Sequence, residues 1–314
     1  MNNLIQRTNA YKVICGDKAR GTLSHAYLVE CADKEKMRDY LKLLAKLILT
    51  DGEEGRTARL IDREIHPDVT FYPPVGGKLK ASMADEITSD CLIKPLELKV
   101  RTFVVSGFEG FEKSQNKLLK TLEEPPENVI LLLGTSNINA ILPTVKSRVK
   151  KVEIPPFTEA QLFEALCDKF DDKDKFENAV RLSNGLEGNV YGIYERGDVE
   201  EIKTLAQRIL RELDTSRSAL KCASYLKNVD VALFINVLKM LFHDMLRMKN
   251  GGIGRLNCKN SDLPLEKYKT GAIIEIIETL GEIERATHFN ANRTMVVDKL
   301  LFTCLEAKYK WQKL

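Results

Sequence analysis

The sequence predicts an α/β domain followed by helical domains. In the first half, short apolar runs alternate with segments of helical periodicity, which indicates a parallel sheet covered by helices on both faces. The run VILLLG (129–134) is apolar at every position, as central parallel strands are. After PPFTEAQL (155–162) only helical patterns follow. We therefore predict an α/β domain at 1–156, a small helical domain at 157–204 and a larger helical domain at 205–314.

Local patterns predict each element of the first half. Strands are expected at AYLVE (26–30), VTFYPP (69–74), VRTFVVS (100–106) and VILLLG, and helices at 34–49, 83–93 and 112–124. The first of these helices carries four apolar side chains on one face: Met37, Leu41, Leu44 and Ile48. Pro125 and Pro126 should end the third helix, because proline lacks the N–H donor and disfavours helical geometry before it.

The second half contains start and stop signals for helices. Thr158 and Gln161 have the spacing of a capping box, and Gly185 should end the helix at 175–184. Longer amphipathic helices are expected at 229–248, 271–289 and 293–309. The glycine-rich stretch NGGIGRLN (250–257) is interpreted as a loop.

The composition excludes several classes of protein. The 314 residues carry a formal net charge of +3, which is too balanced for a protein that mainly binds phosphate backbone. Seven scattered cysteines and four dispersed histidines argue for reduced thiols and against a local zinc site. The N-terminus lacks the apolar region of a signal peptide, and no apolar stretch is long enough to span a bilayer. We expect a cytoplasmic protein without a membrane partner.

The loop after the first strand lacks the residues of a phosphate site. A phosphate-binding loop reads G-x-x-x-x-G-K-[ST], because its glycines allow backbone N–H groups to approach the phosphates and its lysine reaches them. Here the segment VECADKEKMRDY (29–40) contains no glycine. Glu30, Asp33 and Glu35 instead add negative charge where phosphate would lie.

The carboxylates that would hold magnesium are also missing. They are needed at the end of a later strand, where Ser106 and Gly107 follow TFVV and Glu109 comes two residues late. Because both halves of a nucleotide site are absent together, we predict a domain with the shape of an NTPase and no intrinsic ATPase activity.

The stretch LPTVKSR (142–148) places a serine and an arginine just after the strongest buried strand. Such a turn, which Pro143 should begin as a short helix, is typical of a site that handles an anion. Arg148 could equally be a solvated arginine or an intramolecular salt-bridge partner, and Ser147 could simply shape the turn. The carboxylates Glu123 and Glu124 are interpreted as a solvated helix end.

Four motifs resemble the clamp-loader clade of the AAA+ superfamily. They are SHAYLV (24–29), HPDV (66–69), LLKTLEEPPENVILLLGTSN (118–137) and ILPTVKSR (141–148). They are most similar to the delta-prime type of subunit of bacterial DNA polymerase III. The resemblance is specific over residues 20–160 and matches afterwards in the order and length of the helices.

The resemblance implies an AAA+-like domain with a degenerate nucleotide site, a helical lid at 157–204 and an oligomerising collar at 205–314. It implies a five-membered ring with gamma/tau-type ATPase subunits and a delta subunit, which uses ATP to load the sliding clamp on primed DNA. Ser147 and Arg148 occupy the Ser-Arg pair of this family. Arg148 would then act in trans on ATP and magnesium bound by a neighbour, Ser147 would be its motif partner, and this chain would bind no cofactor itself.

The chain departs from the family pattern in two places, and two other functions stay open. Val149 replaces the cysteine that usually follows the Ser-Arg pair, and residues 50–65 lack the zinc-binding cysteines of many relatives, so no zinc module is assigned. One alternative is a delta-type clamp opener, which contacts the clamp through an exposed apolar element of its first domain. The other is a divergent NTPase that binds nucleotide through unconventional residues.

Overall fold

The computed structural model describes residues 3–50, 55–111, 114–254, 256, 262–287 and 292–313. The chain forms two compact units, Met1–Tyr191 and Gly192–Leu314. The three predicted domains, with divisions after residues 156 and 204, stay a prediction.

The first unit is built on one parallel sheet. Its strands are β1 (Ala26–Cys31), β2 (Val69–Tyr72), β3 (Arg101–Val105), β4 (Val129–Thr135) and β5 (Lys150–Ile154). They lie in the order β2-β3-β4-β1-β5, and every neighbouring pair is parallel. The predicted fold class, a parallel α/β sheet followed by helices, is confirmed.

Helices precede, connect and follow these strands. They are α1 (Asn3–Gln6), α2 (Asn9–Ala19), α3 (Met37–Leu49), α4 (Arg56–Asp62), α5 (Ala81–Asp90), α6 (Gln115–Glu123), α7 (Pro143–Lys146), α8 (Glu159–Leu166), α9 (Lys173–Leu182) and α10 (Glu187–Glu195). The four apolar residues that share one face of α3 are all buried, as predicted. α6 ends at Glu123, with one residue between it and the proline pair, and the capping box of Thr158 and Gln161 is present at the start of α8.

The sheet shows one strand that the sequence did not predict. All seven residues of β4 are buried, which agrees with its unbroken apolar sequence. β5 lies at the edge of the sheet beside β1, and only Val152 and Ile154 of its five residues are buried. Its three charged residues hide the strand pattern, because an edge strand can expose one face to water. The helices α1, α2 and α4 were also not predicted.

The second unit is helical among the residues that the structure describes. Its helices are α11 (Val199–Glu212), α12 (Ser216–Tyr225), α13 (Val231–Lys249), α14 (Thr270–Thr287) and α15 (Arg293–Gln312). The long predicted helices are confirmed with small shifts at their ends. Of the predicted loop at 250–257, residues 250–254 contain no helix or strand, whereas 255 and 257 lie outside the described residues, as do 288 and 289 of the predicted 271–289 helix. Within the described parts of the chain, no helix is both long and apolar enough to cross a membrane.

One glycine of α14 is required by the close approach of an aromatic ring. A Cβ added at Gly271 would overlap the ring of Trp311, whereas a Cβ at Gly281 would meet nothing within 4 Å. We expect Gly271→Ala to lower the free energy of unfolding by about 1–3 kcal/mol, because a packed ring has to move. Gly281→Ala, the matched control, should raise it by up to about 1 kcal/mol through helix propensity. Urea unfolding measures both, and equal stability of the two variants would contradict the packing.

Candidate functional site

The loop between β1 and α3 is occupied by the carboxylate of Asp33. Asp33 is only 4% exposed. Its Oδ1 accepts the backbone N–H of Lys36 at 3.1 Å, and its Oδ2 accepts the backbone N–H of Gly188 at 2.8 Å. Lys36 directly precedes α3, and Gly188 lies in the first turn of α10. One buried carboxylate therefore accepts hydrogen bonds at the N-terminal ends of two helices.

This arrangement puts an internal anion in the loop after the first strand, where parallel α/β domains commonly bind phosphate. Helix N-termini attract anions because their first N–H groups have no partner within the helix and the helix dipole is positive there. In this chain Asp33 supplies the anion. A phosphate that entered the loop would have to displace a buried carboxylate and would meet no glycine-lined cradle.

A second buried hydrogen bond joins the same two helices. The Tyr40 hydroxyl, on α3, donates to Oε2 of Glu187 at 2.8 Å, and both residues are buried. Burial and the charge of Glu187 raise the pKa of Tyr40 far above its ordinary value, so the hydroxyl stays a donor. The start of α10 is thus held to α3 by Asp33 and by Tyr40.

Gly188 allows this close approach because it lacks a side chain. A Cβ at Gly188 would lie 2.6 Å from Oδ1 of Asp33 and 2.8 Å from Cβ of Glu35, whereas a Cβ at Gly192 in the same helix would meet nothing within 4 Å. We expect Gly188→Ala to lower the free energy of unfolding by about 2 kcal/mol. Gly192→Ala should keep or raise it. Thermal unfolding of the paired variants tests this, and a Gly188→Ala protein as stable as the Gly192→Ala protein would refute it.

The end of β3 carries a positive charge instead of magnesium-binding carboxylates. Arg38, on α3, donates from Nη1 to the carbonyl oxygen of Pro73 at 2.8 Å and to Oγ of Ser106 at 3.3 Å. Its Nε donates to Oε1 of Glu64 at 2.7 Å, and its Nη2 contacts the other oxygen of the same carboxylate. A guanidinium beside Ser106 repels a divalent cation, so this strand end is unsuited to hold magnesium.

The ion pair of Arg38 and Glu64 makes stability depend on pH. The hydrogen bond from Arg38, helped by Lys42 and opposed by burial, lowers the pKa of Glu64 to about 2 from its ordinary 4.5. A depressed carboxyl pKa stabilises the fold above pH 4.5, and this contribution of roughly 3 kcal/mol is lost as the pH falls from 4.5 through 2. We expect Glu64→Gln to flatten the fall in stability over this range. Denaturant unfolding at several pH values measures it, with the exposed Glu86→Gln as a control whose profile should follow the wild type.

Glu109, the carboxylate that comes two residues late, is used to join two strand ends. It lies in the short 3-10 turn Phe108–Phe111 that follows β3. The Ser136 hydroxyl donates to its Oε1 at 2.6 Å, and Ser136 directly follows β4. Glu109 therefore fixes the loop after β4.

The turn that carries Ser147 and Arg148 is anchored by a buried amide. Gln115, the first residue of α6, is fully buried. Its Oε1 accepts the backbone N–H of Leu142 at 2.8 Å, and its Nε2 donates to the carbonyl oxygen of Ala140 at 3.1 Å. Pro143 is the first residue of α7, as predicted, and Val145 packs into the core. These contacts fix the start of α7 and leave its end near the surface.

Arg148 lies at the C-terminal end of α7 and is engaged by its own chain. Its side chain is 34% exposed, and Nη2 lies 2.7 Å from Oε1 of Glu123. Nη1 donates to the carbonyl oxygen of Thr144 at 2.9 Å and to Oγ of Ser147 at 3.1 Å. The Ser147 hydroxyl in turn donates to the carbonyl oxygen of Thr144 at 2.9 Å. Ser147 and Arg148 thus form one hydrogen-bonded unit at the helix end.

The structure changes the interpretation of Glu123. Glu123, expected to be part of a solvated helix end, is the salt-bridge partner of Arg148. Of the interpretations that the sequence left open, an intramolecular ion pair of Arg148 is therefore present in the isolated chain. Val149 belongs to the hydrophobic core cluster, where an apolar side chain suits the packing.

Sequence comparisons relate the chain to subunits of DNA polymerase III. The DNA polymerase III subunit delta′ of Bacillus subtilis is 25% identical over 218 residues, 67% of this chain and 64% of that protein. The delta′ subunit of Escherichia coli is 26% identical over 198 residues, 59% of each chain. A gamma/tau subunit of Mycobacterium tuberculosis is 30% identical over 105 residues, 32% of this chain and 15% of that protein. The chain thus spans less than two thirds of the length of each of these relatives.

Two solved structures are similar over nearly the whole chain. A gamma subunit-related protein of Thermotoga maritima has 16% identity and a TM-score of 0.45, and the match covers 98% of both chains. The DNA clamp loader delta protein of Bacillus subtilis has 11% identity and a TM-score of 0.38, with 94% of this chain and 99% of that chain covered.

A family model matches the part of the chain that contains the parallel sheet. Residues 6–158 match the family model described as DNA polymerase III, delta subunit. This match and the similarity to the two delta′ subunits confirm the predicted resemblance to delta-prime subunits.

Proposed function

We propose that the chain is a non-hydrolysing subunit of a replicative clamp loader of the AAA+ superfamily, which supplies Arg148 to ATP bound by a neighbouring subunit. The observation that carries the proposal is a contrast within one unit. The carboxylate of Asp33 lies buried in the loop after β1 and Arg38 lies at the end of β3, whereas Arg148 lies near the surface on a turn whose start is fixed by Gln115.

The proposed role is chemically independent of a phosphate loop in this chain. A guanidinium that contacts a γ-phosphate neutralises the charge that develops during phosphoryl transfer. ATP and magnesium would therefore belong to the neighbour, and this chain would bind neither. Ser147 would orient Arg148 through the hydrogen bond between its Oγ and Nη1.

The partners follow from the same proposal. The chain would assemble with gamma/tau-type ATPase subunits and a delta subunit in a five-membered ring, with residues 205–314 as the ring-forming collar. Within that assembly it would act on the sliding clamp and on primed DNA in the cytoplasm.

Native co-purification followed by reconstitution tests this function. We expect ATPase subunits and a clamp to come with the chain in a fixed ratio. The isolated chain should hydrolyse no ATP, and omitting it from the reconstituted assembly should abolish most of the DNA- and clamp-stimulated ATPase activity. Full activity without the chain would refute the proposal, and saturable ATP binding by the isolated chain in calorimetry would favour a divergent NTPase instead.

A second candidate, the delta-type clamp opener, is favoured by one exposed apolar segment. Leu92, Ile93 and Leu96 are 77%, 50% and 75% exposed in the connection between α5 and β3. The buried carboxylate of Asp68 holds this segment by accepting the backbone N–H groups of Leu96, Glu97 and Leu98 at 2.6–2.8 Å. Direct capture of the isolated clamp by the wild-type chain, and its loss in a Leu92→Ser, Leu96→Ser variant, would support this role.

A further inference from the structure

Arg148 is folded back onto acceptors of its own chain. Nη1 donates to Thr144 and Ser147, and Nη2 pairs with Glu123. An arginine that reaches a ligand on another subunit has to turn at least part of this donor set outward. The isolated chain therefore holds Arg148 in a position that differs from the one used in trans.

Glu123 lies where its own helix disfavours a carboxylate. It is the last residue of α6, which ends before Pro125, and the C-terminal end of a helix carries partial negative charge. The guanidinium of Arg148 offsets that charge, and it also donates to the carbonyl oxygen of Thr144 at the end of α7. The pairing thus explains how an acidic residue is accommodated at this helix end.

The adjacent carboxylate is not equivalent. Glu124 is the residue that follows α6, and it is exposed. It carries the same charge one position along the chain, whereas Glu123 is the residue whose Oε1 lies 2.7 Å from Arg148. The two glutamates therefore provide a test residue and a matched control.

We propose that Glu123 is an internal substitute for the neighbour's phosphate, which holds Arg148 in the free chain and is displaced when nucleotide is bound next door. This inference rests on the proposed trans role of Arg148. The pair is partly exposed, 34% for Arg148 and 49% for Glu123, so it is weak enough to be exchanged. A phosphate carries more negative charge than a carboxylate and accepts from both arms of a guanidinium, so it wins the competition.

We call the ion pair of Glu123 and Arg148 the latch. Its effect should appear in the ATP dependence of the ATPase activity of the assembly. Removing the competing carboxylate frees Arg148, so the reconstituted complex with Glu123→Gln should reach half-maximal DNA-stimulated ATPase at an ATP concentration about two- to fivefold lower. The maximal rate should stay unchanged, because Glu123 does not contact the reacting phosphate. Glu124→Gln should leave both parameters at the wild-type values.

The outcomes separate the latch from the function on which it rests. If Arg148→Ala lowers the activity but Glu123→Gln leaves the ATP dependence unchanged, the latch is wrong and the trans role stands. A lower maximal rate for Glu123→Gln would also overturn the latch, because Glu123 would then position Arg148 productively. In the Arg148→Ala background, Glu123→Gln should have no effect, and a shift there would show that Glu123 acts without Arg148. If Arg148→Ala itself leaves the activity intact, the proposed function fails.

Discussion

Replacing Arg148 by alanine should lower the rate of ATP hydrolysis by a factor on the order of 10³ or more at the site that Arg148 faces in the assembled complex. Arginines that contact a transferring phosphoryl group from outside the nucleotide-binding chain contribute about 10³ to 10⁵ in kcat. The change should not affect folding, because the side chain is partly exposed and its ion pair is of the kind worth about 0–1 kcal/mol. The measurement is the DNA- and clamp-stimulated ATPase activity of the reconstituted assembly. The activity that remains with Arg148→Ala should come from ATP sites that Arg148 does not face.

Two further variants sharpen this test. Arg148→Lys keeps the charge and loses the planar fork of donors, so it should restore only part of the activity. Arg63→Ala removes another exposed arginine at a helix C-terminus and should leave the rate unchanged. Unchanged hydrolysis with Arg148→Ala would remove the basis for action in trans, even if the subunit is needed for assembly.

The fold was predictable wherever one local pattern dominates. The apolar run at 129–134 predicts a buried strand, and the proline pair at 125–126 predicts the end of the helix before it. β5 was not predicted because its charged side chains interact with residues that are distant in the sequence. Such partners cannot be read from the local pattern of an edge strand. Lys150 shows this well, since its ammonium pairs at 2.6 Å with Asp17, a buried residue 133 positions earlier.

The sequence could show which residues the loop after β1 and the end of β3 lack. It could not show which side chains occupy these places instead. The glycine-free loop and the missing carboxylates at 106 and 107 are visible in the sequence. The contact between Asp33 and Gly188, 155 positions apart, is a product of tertiary packing. The same holds for the pair of Glu123 and Arg148, because β4 and α7 lie between these two residues in the chain. Sequence motifs identified Arg148, but only the fold could show which acceptors hold it.

Removing the carboxylate of Asp33 should have the largest effect on stability among the variants considered. Asp33→Ala leaves the backbone N–H groups of Lys36 and Gly188 without their acceptor in a buried position. Hydrogen bonds to a charged group contribute about 1.5–3 kcal/mol each at most, and unpaired buried donors add a desolvation cost. We therefore expect the free energy of unfolding to fall by about 2–4 kcal/mol in urea unfolding. Asp33→Asn keeps one acceptor oxygen, so its free energy of unfolding should fall by less.

Asp39→Ala is the matched control, because Asp39 is a 56% exposed acid in the first turn of α3 and pairs with Lys36 at 3.4 Å. Its removal should change the free energy of unfolding by less than about 1 kcal/mol. The Asp33→Ala protein should still show no saturable ATP binding in calorimetry, because the loop has neither the glycines nor the lysine of a phosphate site. If it does bind ATP, then the carboxylate of Asp33, and not the missing glycines and lysine of the loop, is what excludes nucleotide from this chain.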